Sequence, residues 1–564
     1  AEQGNVHNPT LGWLPIGQSG RKSMFDTDWN NVGPRVSLAW SPSFREGLLG
    51  ALVGDKRTVI RGGYGAMFSR HQGPRGGTTR TEGPLFAPSL TCNGPRIDGT
   101  CPGASTELNA FRIGVDGAAV RMPALGTVRV PEVPGIGAVA IAQLLDPKLT
   151  DARTQSVDFT IQRELFGSFL IEVGYAGRWS NDLLQFVEYN SVPLMMRDPA
   201  SGQTFAQASD AVAQQLRAGT PAAAVTPQPW FENQFRGNAR CGSSCTQWLA
   251  GARTAAFQQG QLNNLMNFLN AERPGGPIYN RQVSDLWAIA SGGRSNYNAG
   301  FVSLTRRLTS GLTVTANYTL SKSLDQFGQN DYETGNVSNP YDLDADYGPS
   351  LWDATHVFNG HYYYELPFGP GRRFGAHASA LGWLTGGWSV SGIVTASSGR
   401  PLSVNLNQQA FGGSQLVTSP NYVPGALPVQ AGSQSPTSVN YSISGSGGVG
   451  AAGNPATGGT GLNLFANPEQ VYRGFRPVLV SSDTRHGRGT LRGLSRWNWD
   501  VTLAKSMRIN EQLRASFSAD FLNILNRVEF ADPTLSYYSP SSFGVLTSQY
   551  GNPRQIQLGL RFDF

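Results

Sequence analysis

Apolar and polar residues alternate with a period of two along much of this chain. The clearest stretch is 554–564, R-Q-I-Q-L-G-L-R-F-D-F. There Ile556, Leu558, Leu560, Phe562 and Phe564 share one face, and Gln555, Gln557, Gly559, Arg561 and Asp563 the other. Side chains of a strand point to opposite faces in turn, so the pattern predicts a strand lying between an apolar and a wet medium. Its length suits a tilted strand crossing a bilayer, about 9–11 residues. The edge strand of a soluble sandwich is the alternative. The alternation recurs with Val157, Phe159 and Ile161, with Phe169, Ile171, Val173 and Tyr175, and with Leu312, Val314, Ala316, Tyr318 and Leu320. It recurs again with Trp497, Trp499, Val501 and Leu503, and with Leu513, Ala515, Phe517, Ala519 and Phe521. Weaker candidates lie at 35–40, 58–68, 297–306, 356–366 and 388–397, so about eleven strands are predicted in all.

The connections alternate in length. Short links follow Glu164, Leu308 and Ile509, and moderate ones span 42–56 and 367–387. Long excursions lie between them, at about 69–151, 180–296, 325–351, 399–496 and 526–553. Transmembrane barrels have short periplasmic turns and long external loops, which predicts that every long excursion is external. Within them, 205–216 and 250–269 read as helical. Leu262, Leu265, Met266 and Leu269 are spaced to share a helix face. The Gly- and Ser-rich stretch 444–461 reads as mobile.

Composition sharpens this picture. Charged residues make up 15% of the 564, below the roughly 25% usual in soluble domains. No apolar run reaches 18 residues, and a barrel would leave none. The formal charge is +6, but Lys and Arg are scattered without a block, so no nucleic-acid surface is expected. Trp and Tyr near strand ends, such as Trp40, Trp388 and Trp497, fit either aromatic girdles or a buried core. The four cysteines form two close pairs, Cys92 with Cys101 and Cys241 with Cys245. Neither has zinc-ligand spacing, and two local disulfides in exported loops are the expectation.

Enzyme chemistry finds no support in the motifs. His356 and His361 have opposite strand parity and cannot share a metal on one face. Gly445, Gly447 and Gly450 satisfy G-x-G-x-x-G without the strand-then-helix context of a dinucleotide site. Asp342, Asp344 and Asp346 are weak candidates for Ca²⁺, and a solvated loop is the better expectation. No catalytic residue, metal or cofactor is expected.

Eight segments, in order, resemble the C-terminal part of a TonB-dependent outer-membrane receptor of the Oar-like type with a carboxypeptidase-regulatory-like N-terminal domain. They are N-N-V-G-P-R-V-S-L-A-W-S-P (30–42), R-T-V-I-R-G-G-Y-G-A-M-F (57–68), A-N-Y-T-L-S-K-S-L-D (316–325) and N-P-Y-D-L-D-A-D-Y-G-P-S (339–350). The others are Y-E-L-P-F-G-P-G-R-R-F (364–374), S-S-G-R-P (397–401), F-L-N-I-L-N-R (521–527) and the final G-N-P-R-Q-I-Q-L-G-L-R-F-D-F. The resemblance implies an all-β, antiparallel transmembrane barrel and energised passage of a ligand across the outer membrane. It implies the C-terminal half of a 22-stranded barrel that begins inside an external loop. No plug-like segment or TonB-box-like stretch is found in the sequence. Leu560, Phe562 and Phe564 would then be the assembly signal. Outer-membrane lipid, the barrel-assembly machinery, the TonB system and an unidentified small-molecule, peptide or glycan ligand would be the partners. A sheet left with free edges in lipid implies either a longer native protein or recruitment of a further strand, near 184–189 or 472–481. The alternative functions are a non-transport surface barrel, adhesin or loop-displaying, and a soluble all-β binding protein.

Overall fold

The computed structural model describes residues 16–23, 25–69, 97, 112, 139–188, 191–278, 283–326, 339–370, 372–374, 380–404, 422–423, 437–438, 448–483 and 488–564. Eleven strands form one antiparallel meander. They are β1 (Arg35–Trp40), β2 (Thr58–Phe68), β3 (Arg153–Glu164), β4 (Phe169–Glu188), β5 (Val283–Thr309) and β6 (Leu312–Asp325). Next come β7 (His356–Glu365), β8 (Trp388–Ser397), β9 (Arg496–Arg508), β10 (Arg514–Leu522) and β11 (Gln555–Asp563). Two short strands join the same sheet: Val139–Leu145 runs parallel to the start of β5, and Gly348–Pro349 pairs with the end of β6. Among the described residues β1 and β11 are the sheet's edges and do not pair.

The register turns the sequence alternation into two continuous faces, because directly paired residues lie on the same side of a sheet. One row links Trp40, Ile60, Ile161, Val173, Val302, Tyr318, Phe358, Ala396 and Trp497 across nine strands. The row on the other face links Gln162, Glu172, Ser303, Asn317, Asn359, Thr395 and Asn498 across seven. A one-residue slip in any pair would mix the faces, so the pattern pins the register. Tight turns fix it locally. Between β5 and β6, Ser310 and Gly311 adopt φ of 52° and 78°, the left-handed region a two-residue hairpin demands. Between β9 and β10, the Asn510 side-chain oxygen accepts from the backbone N–H of Gln512 and Leu513 at 2.9 and 2.7 Å.

Strands β4 and β5 are the longest of the meander. The 27 residues of β5 extend about 90 Å at ~3.3 Å each, and β4 pairs with it from Phe169 to Glu188 apart from a bulge near Leu183, so the two form a long paired ribbon.

Helices occupy the connections: α1 (Gly47–Val53), α2 (Phe205–Arg217), α3 (Pro229–Gln234), α4 (Cys245–Ala252), α5 (Thr254–Gln259), α6 (Leu262–Glu272), α7 (Ala380–Thr385) and α8 (Pro468–Arg473). None in the described residues is long and apolar enough to span a membrane. Thr204 and Gln207 form a capping box that starts α2.

Three expectations change here. The helix expected over 250–269 is broken into α4, α5 and α6. Gly260 ends α5 with φ 66°, and Arg253 sits between α4 and α5 outside helical geometry. Residues 448–461, inside the stretch expected to be mobile, form two 3₁₀ turns, Ala451–Gly453 and Pro455–Thr457. The Gly450 N–H donates to Pro540 O at 2.8 Å, so this segment is anchored on the following loop. Residues 439–447 lie outside the described residues, as do Gly445 and Gly447. Among the described residues, neither region named for an extra barrel strand supplies one. Residues 184–188 simply prolong β4, and 472–481 follows α8 with only a two-residue strand, Arg476–Pro477.

Candidate functional site

Two features could handle a ligand: the polar face of the sheet, and the folded mass of loops at the end of the strands from which the long connections leave. The polar face is concave near β7–β11. A hollow of about 800 Å³ is lined there by His361, Ser391, Ile393, Asp500, Thr502 and Asp520, among others. Its carboxylates are held in place. Thr502 Oγ1 donates to Asp520 Oδ1 at 2.6 Å, and Asn498 Nδ2 and the Asn523 N–H donate to Asp500 Oδ1 at 2.8 and 2.7 Å. A second hollow, about 320 Å³, adjoins it and shares Asp500, Leu522 and Gln555. The combined wall offers carboxylates, amides, hydroxyls and one imidazole, a donor and acceptor array suited to a polar ligand.

The loops fold together around one apolar core. Phe205, Trp230, Phe231, Phe235, Phe257, Leu249, Leu265 and Met266 are fully buried in it. The same core takes in Val471 and Phe475 from the β8–β9 connection and Phe543 and Leu546 from the β10–β11 connection. The predicted face of α6, Leu262, Leu265, Met266 and Leu269, points into it. Polar ties join the loops. Ser481 donates from its N–H and Oγ to Asp210 Oδ2 at 2.7 and 2.6 Å, and Tyr341 OH donates to Val192 O at 2.6 Å. Asn463 Nδ2 donates to Phe543 O at 3.0 Å. Burial pushes the Asp210 carboxyl above its ordinary value, and the Ser481 donors oppose that rise.

Cys241 and Cys245 are joined in a disulfide, with both sulfurs near Phe235 O. Cys92 and Cys101 lie outside the described residues. Asp342, Asp344 and Asp346 are not gathered as ligands. Asp342 caps the turn Leu343–Asp346, Asp344 pairs with Arg294 at 3.1 Å, and Asp346 is buried. Among the described residues no three His, Cys, Asp or Glu side chains could hold a metal ion together. The loop carrying these aspartates is thus built into the fold, not merely solvated. Leu560, Phe562 and Phe564 lie exposed on the apolar face of β11 and at its tip.

Sequence reasoning missed the roots of the loops. Arg488, Arg492 and Arg496 occur four residues apart, and each pairs with a carboxylate of a different segment. Arg488 binds the buried Asp325 at the end of β6 and donates to Asp346 O at 3.0 Å. Arg492 reaches Asp353 at 2.6 Å, and Arg496 reaches Asp532 at 3.1 Å. The spacing was visible, but which carboxylates would receive it depends on tertiary structure. Several segments that carried the family resemblance, 316–325, 339–350 and 397–401, meet at this point. Gly489, at φ 64°, would place a Cβ against Pro349 and Pro401.

A family model described as outer membrane beta barrel domain matches residues 2–557. No curated protein matches the chain in sequence. Among solved structures, the outer membrane transporter YddB from Escherichia coli aligns at 10% identity and a TM-score of 0.40, over 94% of this chain and 40% of that one. The ferripyoverdine receptor of the outer membrane of Pseudomonas aeruginosa, bound to ferripyoverdine, aligns at 9% and 0.33, over 94% and 33%. The FrpB iron transporter from Neisseria meningitidis aligns at 9% and 0.32, over 94% and 39%. The chain therefore spans about a third to two-fifths of the length of these structures.

Proposed function

The chain belongs to the outer membrane beta barrel domain family and resides in the bacterial outer membrane, and from that premise we propose that it is the barrel portion of a TonB-dependent transporter. The soluble all-β alternative falls with that membership. One observation carries the proposal: an apolar row nine strands wide backs a polar row seven strands wide, which suits a wall between lipid and a wet lumen. The ordered family-like segments support the TonB-dependent assignment.

In this reading the ligand meets the folded external loops first and the polar wall next. The hollow around His361, Asp500 and Asp520 is the contact surface inside the lumen. Passage needs no covalent step, so no catalytic residue is assigned. Outer-membrane lipid, the barrel-assembly machinery and the TonB system are the partners. The ligand is a small molecule, peptide or glycan. The size of the loop core supports a second reading, a barrel that displays its loops as an adhesin without transport.

The test compares cells carrying the full-length native protein with cells lacking it. Depletion of solutes from the medium is profiled by mass spectrometry, with and without a protonophore. A solute consumed only with the protein and only with an energised membrane is the expected result. Identical profiles, together with altered attachment to surfaces, would replace transport with the display reading.

A further inference from the structure

The links at the opposite end of the meander from the loop core share two properties that the strand pattern does not require. Taken with the strand ends that flank them, they span 41–57, 163–168, 306–311, 365–387 and 505–514, and join β1 to β2, β3 to β4, β5 to β6, β7 to β8 and β9 to β10. First, each exposes large apolar side chains. Leu48 is 78% exposed, Phe166 88%, Leu308 60%, Leu384 60% and Ile509 52%. Water-facing turns have no reason to do this five times over. Second, these links and the strand ends that flank them hold eleven Lys and Arg against five Asp and Glu, six of the eleven being strand-end residues. That excess of six equals the +6 of the whole chain, so the remainder of the molecule is balanced. The sequence scatters its basic residues, and the topology places the net surplus on one rim.

Side-chain geometry ties this rim to the apolar face. Lys505 and Trp388 are paired on that face, with the ammonium 4.9 Å from the ring centre. Lys505 Nζ donates to Leu384 O and Gly386 O at 2.7 and 2.9 Å, holding the end of α7 there. Arg306 and Phe169 are paired on the same face, with the guanidinium 5.2 Å from the ring centre. Cation and aromatic partners from neighbouring strands are what the boundary between acyl chains and headgroups accommodates.

We propose that this rim is a binding belt for anionic phospholipid headgroups. The apolar side chains of the links, with α1 and α7, sit in the interfacial layer of the leaflet, and the surplus Lys and Arg meet its phosphates. The occupant follows from continuity with the lipid-facing surface and from charge complementarity. The proposal rests on the barrel reading above.

The full chain is reconstituted in vesicles of phosphatidylcholine alone and of an equimolar phosphatidylcholine–phosphatidylglycerol mixture. Lipid retained after detergent extraction is then counted by native mass spectrometry. Phosphatidylglycerol should be retained roughly tenfold over phosphatidylcholine. The variant R306Q/R307Q/R372Q/R373Q should lose that preference. R197Q/R236Q/R240Q/R473Q, which removes as many Arg charges from the external loops, should keep it. Equal retention of both lipids by the native chain, or equal loss in both variants, would overturn the belt while leaving the barrel intact. Failure of the native chain to insert even into phosphatidylcholine vesicles would overturn both.

Discussion

At the scale of single residues, side-chain direction decides what a substitution costs. Val302 lies on the apolar face between Val173 and Tyr318, and the adjacent Ser303 lies on the polar face and donates to Asn317 Oδ1 at 2.7 Å. Val302→Arg should cost about 2–4 kcal/mol of folding stability in liposomes, and Ser303→Arg much less. Equal costs would mean that the two faces do not meet different media. Asp210 makes a prediction in pH. Its carboxyl is raised in the folded state, so folding takes up a proton there. The stability it contributes is fully present below its ordinary value of 3.8 and is lost as pH rises through the raised value. Asp210→Asn removes that dependence and keeps an acceptor for Ser481. The melting temperature of the loop core in the variant should therefore gain on the native protein as pH rises from about 4 to 7. A constant offset across that range would show that Asp210 does not titrate as argued.

At the scale of elements, the loops behave as a small globular unit on a membrane wall. Trp230 is fully buried, touches Phe205 and Phe231 ring to ring, and donates through its indole N–H to Met196 O at 3.1 Å. Trp230→Ala should cost about 3–5 kcal/mol, read as earlier proteolysis of 191–278 with the sheet still inserted. Simultaneous loss of the sheet would mean that loops and wall fold as one cooperative unit. Cys92 and Cys101 are expected to be disulfide-bonded in native protein from the cell envelope. Alkylation without reduction, followed by mass spectrometry, checks this, and labelled thiols would defeat it. Elements differed in how far the sequence revealed them. The strands were legible because a two-sided environment imposes a period of two, and 35–40, 58–68 and 388–397 were located to the residue. Residues 297–306 were recognised, but not the continuation of β5 back to Val283. There Ala288, Ile289 and Ala290 are buried in succession, so both faces are covered and no alternation remains to be read. The split of 250–269 into three helices was hidden because composition reports helical preference, not the backbone break at Arg253.

At the scale of the whole molecule, the sequence order of the connections became a separation in space. The long connections after β4, β8 and β10 join into one core around Trp230, and the short links with their flanking strand ends form a basic, apolar rim around Lys505 and Leu308. The polar hollow was less legible, because His361, Asp500 and Asp520 come from three strands, and only the register places them together. The last strand bears on how the molecule reaches its membrane. β11 pairs with β10 from Arg514 opposite Asp563 to Leu522 opposite Gln555, and its apolar side chains are exposed: Leu560 65%, Phe562 52% and Phe564 99%. Lipid offers a strand's free N–H and C=O groups no partner, so β11 must find a second neighbour as the barrel closes. We propose that Leu560, Phe562 and Phe564 are read by the assembly machinery before that happens. Changing Phe562 and Phe564 together to Ser should then lower the amount of full-length protein in the outer-membrane fraction severalfold. The lost apolar area alone, at about 25 cal/mol per Å², amounts to a few kcal/mol and would lower stability without changing the compartment. Fractionation separates the two effects. Protein that reaches the outer membrane at the native level but unfolds earlier would reduce these residues to a packing role.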